Sequence, residues 1–215
     1  ANDSQLHKAM NILAIVASPR RKGLVSTMAR RVLDGAASNG HQVELVNLYD
    51  HRLDYCLGCW ACAERGRCVH DDAFNALFEK VKTADVLVLA APIYWSNVPG
   101  IMKTFFDRHC GLIWNWSQTR RYPLLNFEWA PLRPEMRDKQ AVLILACSAP
   151  LPPPLGRLPM MHEVSDALRA MVNYTRKLEM KILARLVFTN TKDPQFVGKH
   201  RERFFAKAYE IGRRL

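Results

Sequence analysis

Short apolar segments alternate with amphipathic ones along most of this chain. The segment 11–17 (NILAIVA) has the length and composition of a buried strand. Four more segments share these properties: 42–48, 86–91, 139–147 and 181–189. Between and after the strands, apolar residues recur at helical spacing over five segments: 24–38, 71–83, 101–110, 161–174 and 199–214. The pattern therefore predicts strands and helices in strict alternation.

Strict alternation is typical of a parallel sheet covered by helices on both faces. Five strands fit a flavodoxin-like, doubly wound α/β fold with strand order 2-1-3-4-5. In such a sheet, ligands bind beyond the carboxyl ends of the strands at the topological switch point. We therefore expect a ligand site in the loops that follow strands 1, 3 and 4, namely 18–27, 92–100 and 148–159.

Length and composition indicate one domain. The chain has 215 residues, of which 49% are hydrophobic, enough for a single well-buried core. We assign 10–215 to that domain and 1–9 to a tail, with Met10 as the expected native start. The longest apolar runs are far shorter than the ~20 residues needed to cross a bilayer, and 1–8 lack the apolar region of a signal peptide. We expect a cytoplasmic protein with no membrane partner.

The chain is strongly basic, with a formal net charge of +11. A basic surface attracts nucleotide phosphates, acidic proteins or nucleic acid. No nucleic-acid-binding motif accompanies the charge, so no nucleic-acid partner is expected. Nucleotide phosphates are the anions that the predicted loops suit best.

Four clustered cysteines, Cys56, Cys59, Cys62 and Cys68, follow a C-x2-C-x2-C-x5-C pattern. The spacing is close to the compact ferredoxin arrangement, in which neighbouring thiolates bind one [4Fe-4S] cluster. Zinc, with His70 as a further ligand, is an alternative, although structural zinc usually takes two separated C-x2-C pairs. Redox-active or buried free thiols are a third interpretation.

The loop after the first strand has the chemistry of a phosphate site. Ser18, Ser26 and Thr27 offer hydroxyl groups, and Arg20 offers a cation, beside the N-terminus of the first helix. Neither G-x-G-x-x-G nor a Walker lysine motif is present, which disfavours Rossmann and P-loop sites. An ordinary capped strand-to-helix loop remains the alternative.

Three runs, SPRRKGLVST, APIYW and FFDR, resemble in order and spacing the NAD(P)H-dependent FMN reductase family of flavodoxin-like proteins. The cysteine run resembles the iron-sulfur flavoprotein branch. The resemblance covers about 11–108 and implies bound FMN, NAD(P)H or ferredoxin as donor, and assembly into a homodimer or homotetramer.

The resemblance also implies site residues. Ser18, Arg20, Ser26 and Thr27 match the phosphate loop of the family, and Ser148 falls where its third flavin loop begins. The loop expected to cup the flavin ring contributes Pro92, Ile93, Tyr94, Trp95, Ser96 and Asn97. No catalytic side chain is expected, because hydride transfer to a flavin depends on stacking and orientation. His109 is accordingly expected to be non-catalytic, and Asp107-Arg108 is interpreted as an internal ion pair.

The sequence thus predicts an FMN-dependent oxidoreductase. Electrons would pass from NAD(P)H or ferredoxin through FMN to a quinone, a free flavin or another small acceptor, or to a [4Fe-4S] cluster. One alternative is a non-catalytic electron-transfer protein that carries flavin and cluster. The other is a zinc-stabilised interaction protein. The aromatic insert 111–138 is interpreted as a lid over the flavin, a subunit contact, a wall of a hydrophobic substrate pocket or a satellite core.

Overall fold

Five parallel strands form the central sheet. The computed structural model describes residues 8–125, 127–150 and 163–215. The sheet strands are β1 (Asn11–Val16), β2 (Gln42–Asn47), β3 (Val86–Pro92), β6 (Gln140–Ala146) and β7 (Lys181–Phe188). They are hydrogen-bonded in the order β2-β1-β3-β6-β7. Counting only these strands, the order is the predicted 2-1-3-4-5, so the predicted fold class is confirmed.

Within the described ranges, six α-helices connect or follow the strands: α1 (Leu24–Ser38), α2 (Ala61–Arg65), α3 (Phe74–Thr83), α4 (Gly100–Asp107), α5 (Glu163–Lys177) and α6 (Pro194–Arg213). The short α2 lies inside the cysteine loop and was not predicted. The predicted start of the fifth helix, 161–162, lies outside the described residues. No helix in the described ranges combines the length and apolarity needed to span a bilayer.

The sheet has a separate apolar core on each face. On one face, α1 and α6 cover the sheet, and Met28 and Val32 of α1 share an apolar cluster with Phe188 of β7. On the other face, α3, α4 and α5 bury Phe74, Phe105 and their neighbours. Because both faces are covered, the central strands are apolar throughout, and this produced the continuous hydrophobic runs in the sequence.

The last helix begins five residues before the position predicted from its apolar spacing. Asp193 caps it, accepting hydrogen bonds from the backbone N–H groups of Gln195 (2.9 Å) and Phe196 (3.1 Å). Pro194 occupies the first helical position, where its missing N–H group is not needed. The Asp-Pro pair was therefore the sequence signal for the true start of α6.

The aromatic insert contains a small antiparallel hairpin. Strands β4 (Arg120–Tyr122) and β5 (Phe127–Trp129) pair only with each other. Before the hairpin, Leu112 and Ile113 are buried in the core. At the hairpin itself, Leu124 is fully exposed and Leu125 is 75% exposed. The insert is thus anchored at its base and presents an apolar tip to solvent.

Candidate functional site: a basic cleft and a cysteine pocket

A cleft of about 780 Å³ opens at the carboxyl ends of β1, β3 and β6. This is the edge at which a doubly wound sheet binds its ligands. The loops after β1 and β3 both reach it, together with the loop after β7. Its walls are formed by Ser18, Arg20, Lys22, Gly23, Leu24, Val25, Thr27, Pro92, Ile93, Tyr94, Ala146, Ser148, Thr191, Lys192, Val197, Arg201 and Phe205.

Seven of the eleven cofactor-binding residues predicted from sequence line this cleft: Ser18, Arg20, Thr27, Pro92, Ile93, Tyr94 and Ser148. Four do not: Ser26, Trp95, Ser96 and Asn97. The structure therefore brings the first and second predicted loops together, with one residue of the third. The remainder of the third loop, the proline-rich stretch after 150, lies outside the described residues.

The loop from β1 to α1 is folded around the backbone of Arg20. The carbonyl oxygen of Arg20 accepts hydrogen bonds from the Ser26 hydroxyl group (2.9 Å) and from Gly23 N–H (3.0 Å). The backbone N–H of Arg20 donates to the Ser18 hydroxyl group at 3.3 Å. Ser26 is only 1% exposed, and its hydroxyl group stabilises the loop from the buried side. The hydroxyl group of Thr27, which lines the cleft, is the better placed of the two for a ligand.

The loop after β3 contains a strained turn from Tyr94 to Asn97. The backbone N–H of Asn97 donates to the carbonyl oxygen of Tyr94 (3.0 Å), and that of Tyr94 donates to Asn97 (2.8 Å). Both central residues have positive φ, 46° at Trp95 and 61° at Ser96, which is the pattern of a type I′ turn. Residues with side chains rarely adopt this conformation, and strain of this kind concentrates at functional sites.

The side chains of this turn have distinct environments. Trp95 is 99% exposed, whereas Tyr94 is half-exposed and lines the cleft. Ile93 donates its backbone N–H to Ala146 on β6 at 2.8 Å, so that group is part of the sheet. Within the described residues, the backbone N–H groups of Trp95 and Ser96 have no hydrogen-bond partner. These two groups, rather than that of Ile93, are available to a ligand.

Among the described residues, the cleft is lined by four cationic side chains and no acidic ones: Arg20, Lys22, Lys192 and Arg201. Lys192 and Arg201 were not predicted from the sequence, because the ligand site was expected only in the loops after strands 1, 3 and 4. Lys192 follows β7, and its position after the fifth strand was the available signal. The excess of positive charge makes the cleft suited to a ligand with more than one anionic group.

The four clustered cysteines lie around a second cavity, the cysteine pocket, of about 340 Å³. Cys62 and Cys68 are half-buried, and Cys56 and Cys59 are exposed. Cys110, which stands alone in the sequence, lines the same pocket and was missed. No three His, Cys, Asp or Glu side chains in the described part of the chain converge closely enough to hold a metal ion. The predicted metal ligands are therefore brought to one pocket without forming a preassembled single-ion site.

Backbone features bring the thiols to that pocket. Gly58, Trp60 and Gly66 all have positive φ, so the chain turns sharply before and after α2. A Cβ atom on Gly111 would lie 2.4 Å from the sulfur of Cys62, so only glycine permits this approach. Burial raises the pKa of the Cys62 thiol, and the neighbouring cysteines, Cys68 foremost, raise it further.

Both ends of the cysteine loop are fixed by side chains. Asp72 accepts hydrogen bonds from the backbone N–H groups of Asp54 (2.8 Å) and Phe74 (3.0 Å), joining the start of the loop to α3. Asn75 accepts from Cys68 N–H (2.8 Å) and donates to its carbonyl oxygen (3.1 Å). The backbone of Cys68 is thus held rigidly even though the pocket itself is open.

Arg108 closes the inner wall of the pocket. The expected ion pair between Asp107 and Arg108 is not formed, because Arg108 pairs with Asp72 and Asp107 pairs with Lys103. Burial opposes the charge of Asp72, yet hydrogen bonds from Arg108 and from two backbone N–H groups outweigh it and lower the pKa of Asp72. The zinc alternative depends on His70, whose Nδ1 lies 3.7 Å from an Asp54 carboxylate oxygen.

His109 is part of the core. It is 1% exposed, and the rings of Phe74, Phe105 and Tyr174 meet it edge-on. Its Nδ1 shares a 2.6 Å hydrogen bond with the carbonyl oxygen of Phe105. Burial lowers the pKa of His109 to about 4, so the ring is neutral at pH 7. The expected non-catalytic role of His109 stays a prediction.

Known proteins similar to this chain include FMN reductases and iron-sulfur flavoproteins. Residues 10–149 match the family described as NADPH-dependent FMN reductase. The chain belongs to this family. An iron-sulfur flavoprotein of Archaeoglobus fulgidus is 37% identical over 99 residues, which are 46% of this chain and 45% of that protein. Another, from Methanocaldococcus jannaschii, is 33% identical over 99 residues, 46% of this chain and 51% of that protein. The resemblance inferred from the sequence is confirmed.

The fold of this FMN reductase family member is also found in solved structures whose sequences are less than 25% identical to it. An NAD(P)H:quinone oxidoreductase from Methanothermobacter marburgensis superposes with a TM-score of 0.68 at 18% identity, covering 95% of this chain and 96% of that one. The sequence match to the iron-sulfur flavoproteins covers less of the chain than the structural match does. The chain spans about half the length of these relatives. The fold is therefore shared throughout, while sequence similarity is confined to part of each relative.

Proposed function

We propose that the protein is an FMN-dependent oxidoreductase that takes electrons from a nicotinamide nucleotide or ferredoxin and passes them to a quinone, a free flavin or another small acceptor. One observation carries the proposal. The loop expected to bind the phosphate and the first residues of the loop expected to cup the flavin, Pro92, Ile93 and Tyr94, form two walls of one cleft at the ligand edge of the sheet.

The residues present fit FMN. Arg20 and Thr27, beside the N-terminus of α1, provide a cation and a hydroxyl group for its phosphate. Pro92 and Tyr94 provide flat surface for the ring. Trp95 and Ser96 do not line the cleft, but they follow Tyr94 directly, and their unpaired N–H groups are the nearest backbone donors that this loop offers to the polar edge of the ring. Bound FMN supplies hydride acceptance and one-electron transfer, which the protein tunes through such contacts.

The remaining charges favour a second anionic ligand. A flavin phosphate needs only part of the positive charge in the cleft, which leaves Lys192 and Arg201 for the phosphates of NADH or NADPH. Arg201 also lies 3.2 Å from Glu202, so Lys192 has the less compensated charge. We assign Lys192 to donor binding.

We further propose that the four clustered cysteines hold a [4Fe-4S] cluster. Four thiols and a buried arginine surround one pocket, which matches the anionic, sulfur-rich chemistry of such a cluster. Structural zinc usually takes two separated C-x2-C pairs, and the C-x2-C-x2-C-x5-C spacing of these cysteines does not provide them. A bound cluster supplies one-electron transfer.

The test is anaerobic purification followed by measurement of flavin, iron and sulfide per chain. We expect FMN binding, a flavin absorption spectrum, and oxidation of NADPH or NADH with a quinone or FMN as acceptor. Protein that neither binds added FMN nor oxidises either nicotinamide contradicts the enzyme proposal. Zinc in place of iron contradicts the cluster proposal and leaves the enzyme proposal standing.

A non-catalytic electron-transfer protein is a second candidate. The cysteine loop exposes Tyr55 (78%), Leu57 (70%) and Trp60 (51%), an apolar rim suited to a transient protein partner such as ferredoxin. Stopped-flow exchange with reduced ferredoxin, together with no turnover of either nicotinamide, would favour this candidate over the enzyme.

We also propose that the chain forms homo-oligomers. Trp95 and Leu124 are almost completely exposed, and large apolar side chains of this kind are usual at subunit contacts. Sedimentation of the FMN-loaded protein should give a dimer or tetramer. A monomer at all concentrations would contradict the proposal.

A further inference from the structure

Arg108 is a buried cation in the wall of the cysteine pocket. It follows α4 directly and is 2% exposed, yet it lines the pocket together with Cys68. A buried charge is unfavourable unless it is paired and hydrogen-bonded. Asp72 provides the pairing, since its side chain is equally inaccessible to solvent.

The contacts of Arg108 use only part of its guanidinium group. Nη1 donates to the Asp72 carboxylate and to the carbonyl oxygen of Asp54 (3.1 Å), and the group lies 4.4 Å from the centre of the Phe74 ring. Nε and Nη2 are buried and have no well-formed hydrogen bond to any described residue. The polar group within reach on the pocket side is the sulfur of Cys68.

The ion pair with Asp72 does not explain why residue 108 is an arginine. Asp72 receives Nη1 and two backbone N–H groups, and a lysine ammonium group could replace Nη1 there. Nε and Nη2, which carry most of the donors of a guanidinium group, contribute nothing to that pair. Buried donors without an acceptor are destabilising. The presence of an arginine beside the thiols therefore indicates that a ligand in the pocket accepts hydrogen bonds from Nε and Nη2.

Thiolate and inorganic sulfide are acceptors of the right charge. Hydrogen bonds to cluster sulfurs, and burial of the cluster, are the means by which a protein sets its reduction potential. Residues that contact the ligands rather than the metal fix the ligand geometry and slow metal loss. Arg108 has the burial and the free donors for both roles.

We propose that Arg108 is a positioning residue of the iron-sulfur site, donating hydrogen bonds from Nε and Nη2 to the sulfurs of the cluster or of Cys68. These bonds raise the reduction potential of the cluster and slow its release. The inference rests on the proposed [4Fe-4S] assignment, and it concerns a residue outside the four clustered cysteines.

The test compares the anaerobically purified, FMN-loaded wild type with the Arg108→Lys variant. Lysine keeps the positive charge opposite Asp72 but removes the Nε and Nη2 donors. We expect a more negative midpoint potential of the cluster, followed by electron paramagnetic resonance, and about tenfold faster iron loss to a chelator. Thermal unfolding of the cluster-free proteins should be similar.

Arg137→Lys is the matched control. The guanidinium group of Arg137 donates to the Leu132 carbonyl oxygen from Nε (3.3 Å) and Nη2 (3.1 Å), and it does not line the cysteine pocket. This variant should keep the wild-type potential and rate of iron loss.

Equal potentials and equal iron loss in wild type and Arg108→Lys would overturn the role of Arg108 and leave the cluster assignment intact. Wild type that takes up no iron and sulfide overturns both. If the variant does not fold, wild type labelled with ¹⁵N-arginine serves instead. Its reduced cluster should show magnetic coupling to an arginine nitrogen, and the absence of coupling would overturn the inference.

Discussion

Gly212 of α6 lies against the backbone of Val32 in α1, so close that a Cβ atom on the glycine would be 1.9 Å from the Val32 carbonyl oxygen. The reverse contact exists at Gly35, where a Cβ atom would be 2.0 Å from the carbonyl oxygen of Tyr209. The two helices therefore cross with their backbones touching at two points. Neither contact tolerates a side chain, since protein interiors leave no space for one.

Gly212→Ala should lower the free energy of unfolding by about 1–3 kcal/mol, because the helices must separate to accept the methyl group. Gly198→Ala is the control in the same helix, since nothing lies within 4 Å of its Cβ position. It should raise the free energy of unfolding by about 0.5–1 kcal/mol through helix propensity. Urea unfolding measures both. Equal stability of the two variants would show that the helices are loosely packed.

Arg20→Ala should weaken FMN binding about 10- to 100-fold, corresponding to the loss of one charge-assisted hydrogen bond. Arg21→Ala is the neighbouring control, because Arg21 pairs with Asp50 and does not line the cleft. Titration calorimetry of the cofactor-free protein with FMN gives both affinities. An equal effect of the two substitutions would indicate general electrostatic attraction rather than a specific contact.

Lys192→Ala should raise the KM for the nicotinamide donor about tenfold and leave FMN affinity close to wild type, since a charged hydrogen bond to the donor is lost. Lys181→Ala is a suitable control, because Lys181 begins β7 at the opposite edge of the sheet. Steady-state kinetics with NADH and NADPH provide the measurement. Weakened FMN binding in Lys192→Ala would instead assign this side chain to the flavin phosphate.

Ser96→Gly should stabilise the FMN-free protein by about 0.5–1 kcal/mol, because glycine adopts the positive φ of 61° without steric strain. Ser96→Ala removes the same hydroxyl group but keeps the strain, so it should bring no gain. Thermal unfolding separates the two variants. A stabilised alanine variant would attribute the effect to the hydroxyl group instead.

His109 should make the protein sensitive to acid. Burial lowers the pKa of His109 to about 4 from 6.5, so the unfolded chain binds a proton between these values and the folded chain does not. The stability from this residue is thus complete above about pH 6.5 and lost as the pH falls towards 4. Between pH 7 and 5, wild type should lose about 2 kcal/mol more unfolding free energy than His109→Gln. Identical losses would contradict the burial argument.

The fold was predictable because every central strand is buried on both faces and is therefore apolar throughout. Helix α1 was predicted with its true limits, whereas α6 was placed five residues too late because the Asp193-Pro194 start signal was not used. The five-residue α2 was missed, since its formation depends on the turns at Trp60 and Gly66 rather than on periodicity.

The parts of the candidate site that are formed by one continuous segment of sequence were predictable. The parts that the fold brings in from distant segments were missed. The loops at Ser18 and Pro92 are continuous in sequence, so their chemistry could be interpreted directly. Lys192, Cys110 and Arg108 reach the sites from distant segments. Ser26 looked like a ligand in sequence, yet its hydroxyl group is used by the Arg20 carbonyl oxygen.

Helix α4 connects the two candidate sites. It begins at Gly100, just after the strained turn, and ends at Asp107, next to Arg108. Its eight residues span only about 12 Å, and adding or removing one would rotate its end by about 100°. The length of this one helix therefore fixes the spacing between the strained turn beside the cleft and the wall of the cysteine pocket.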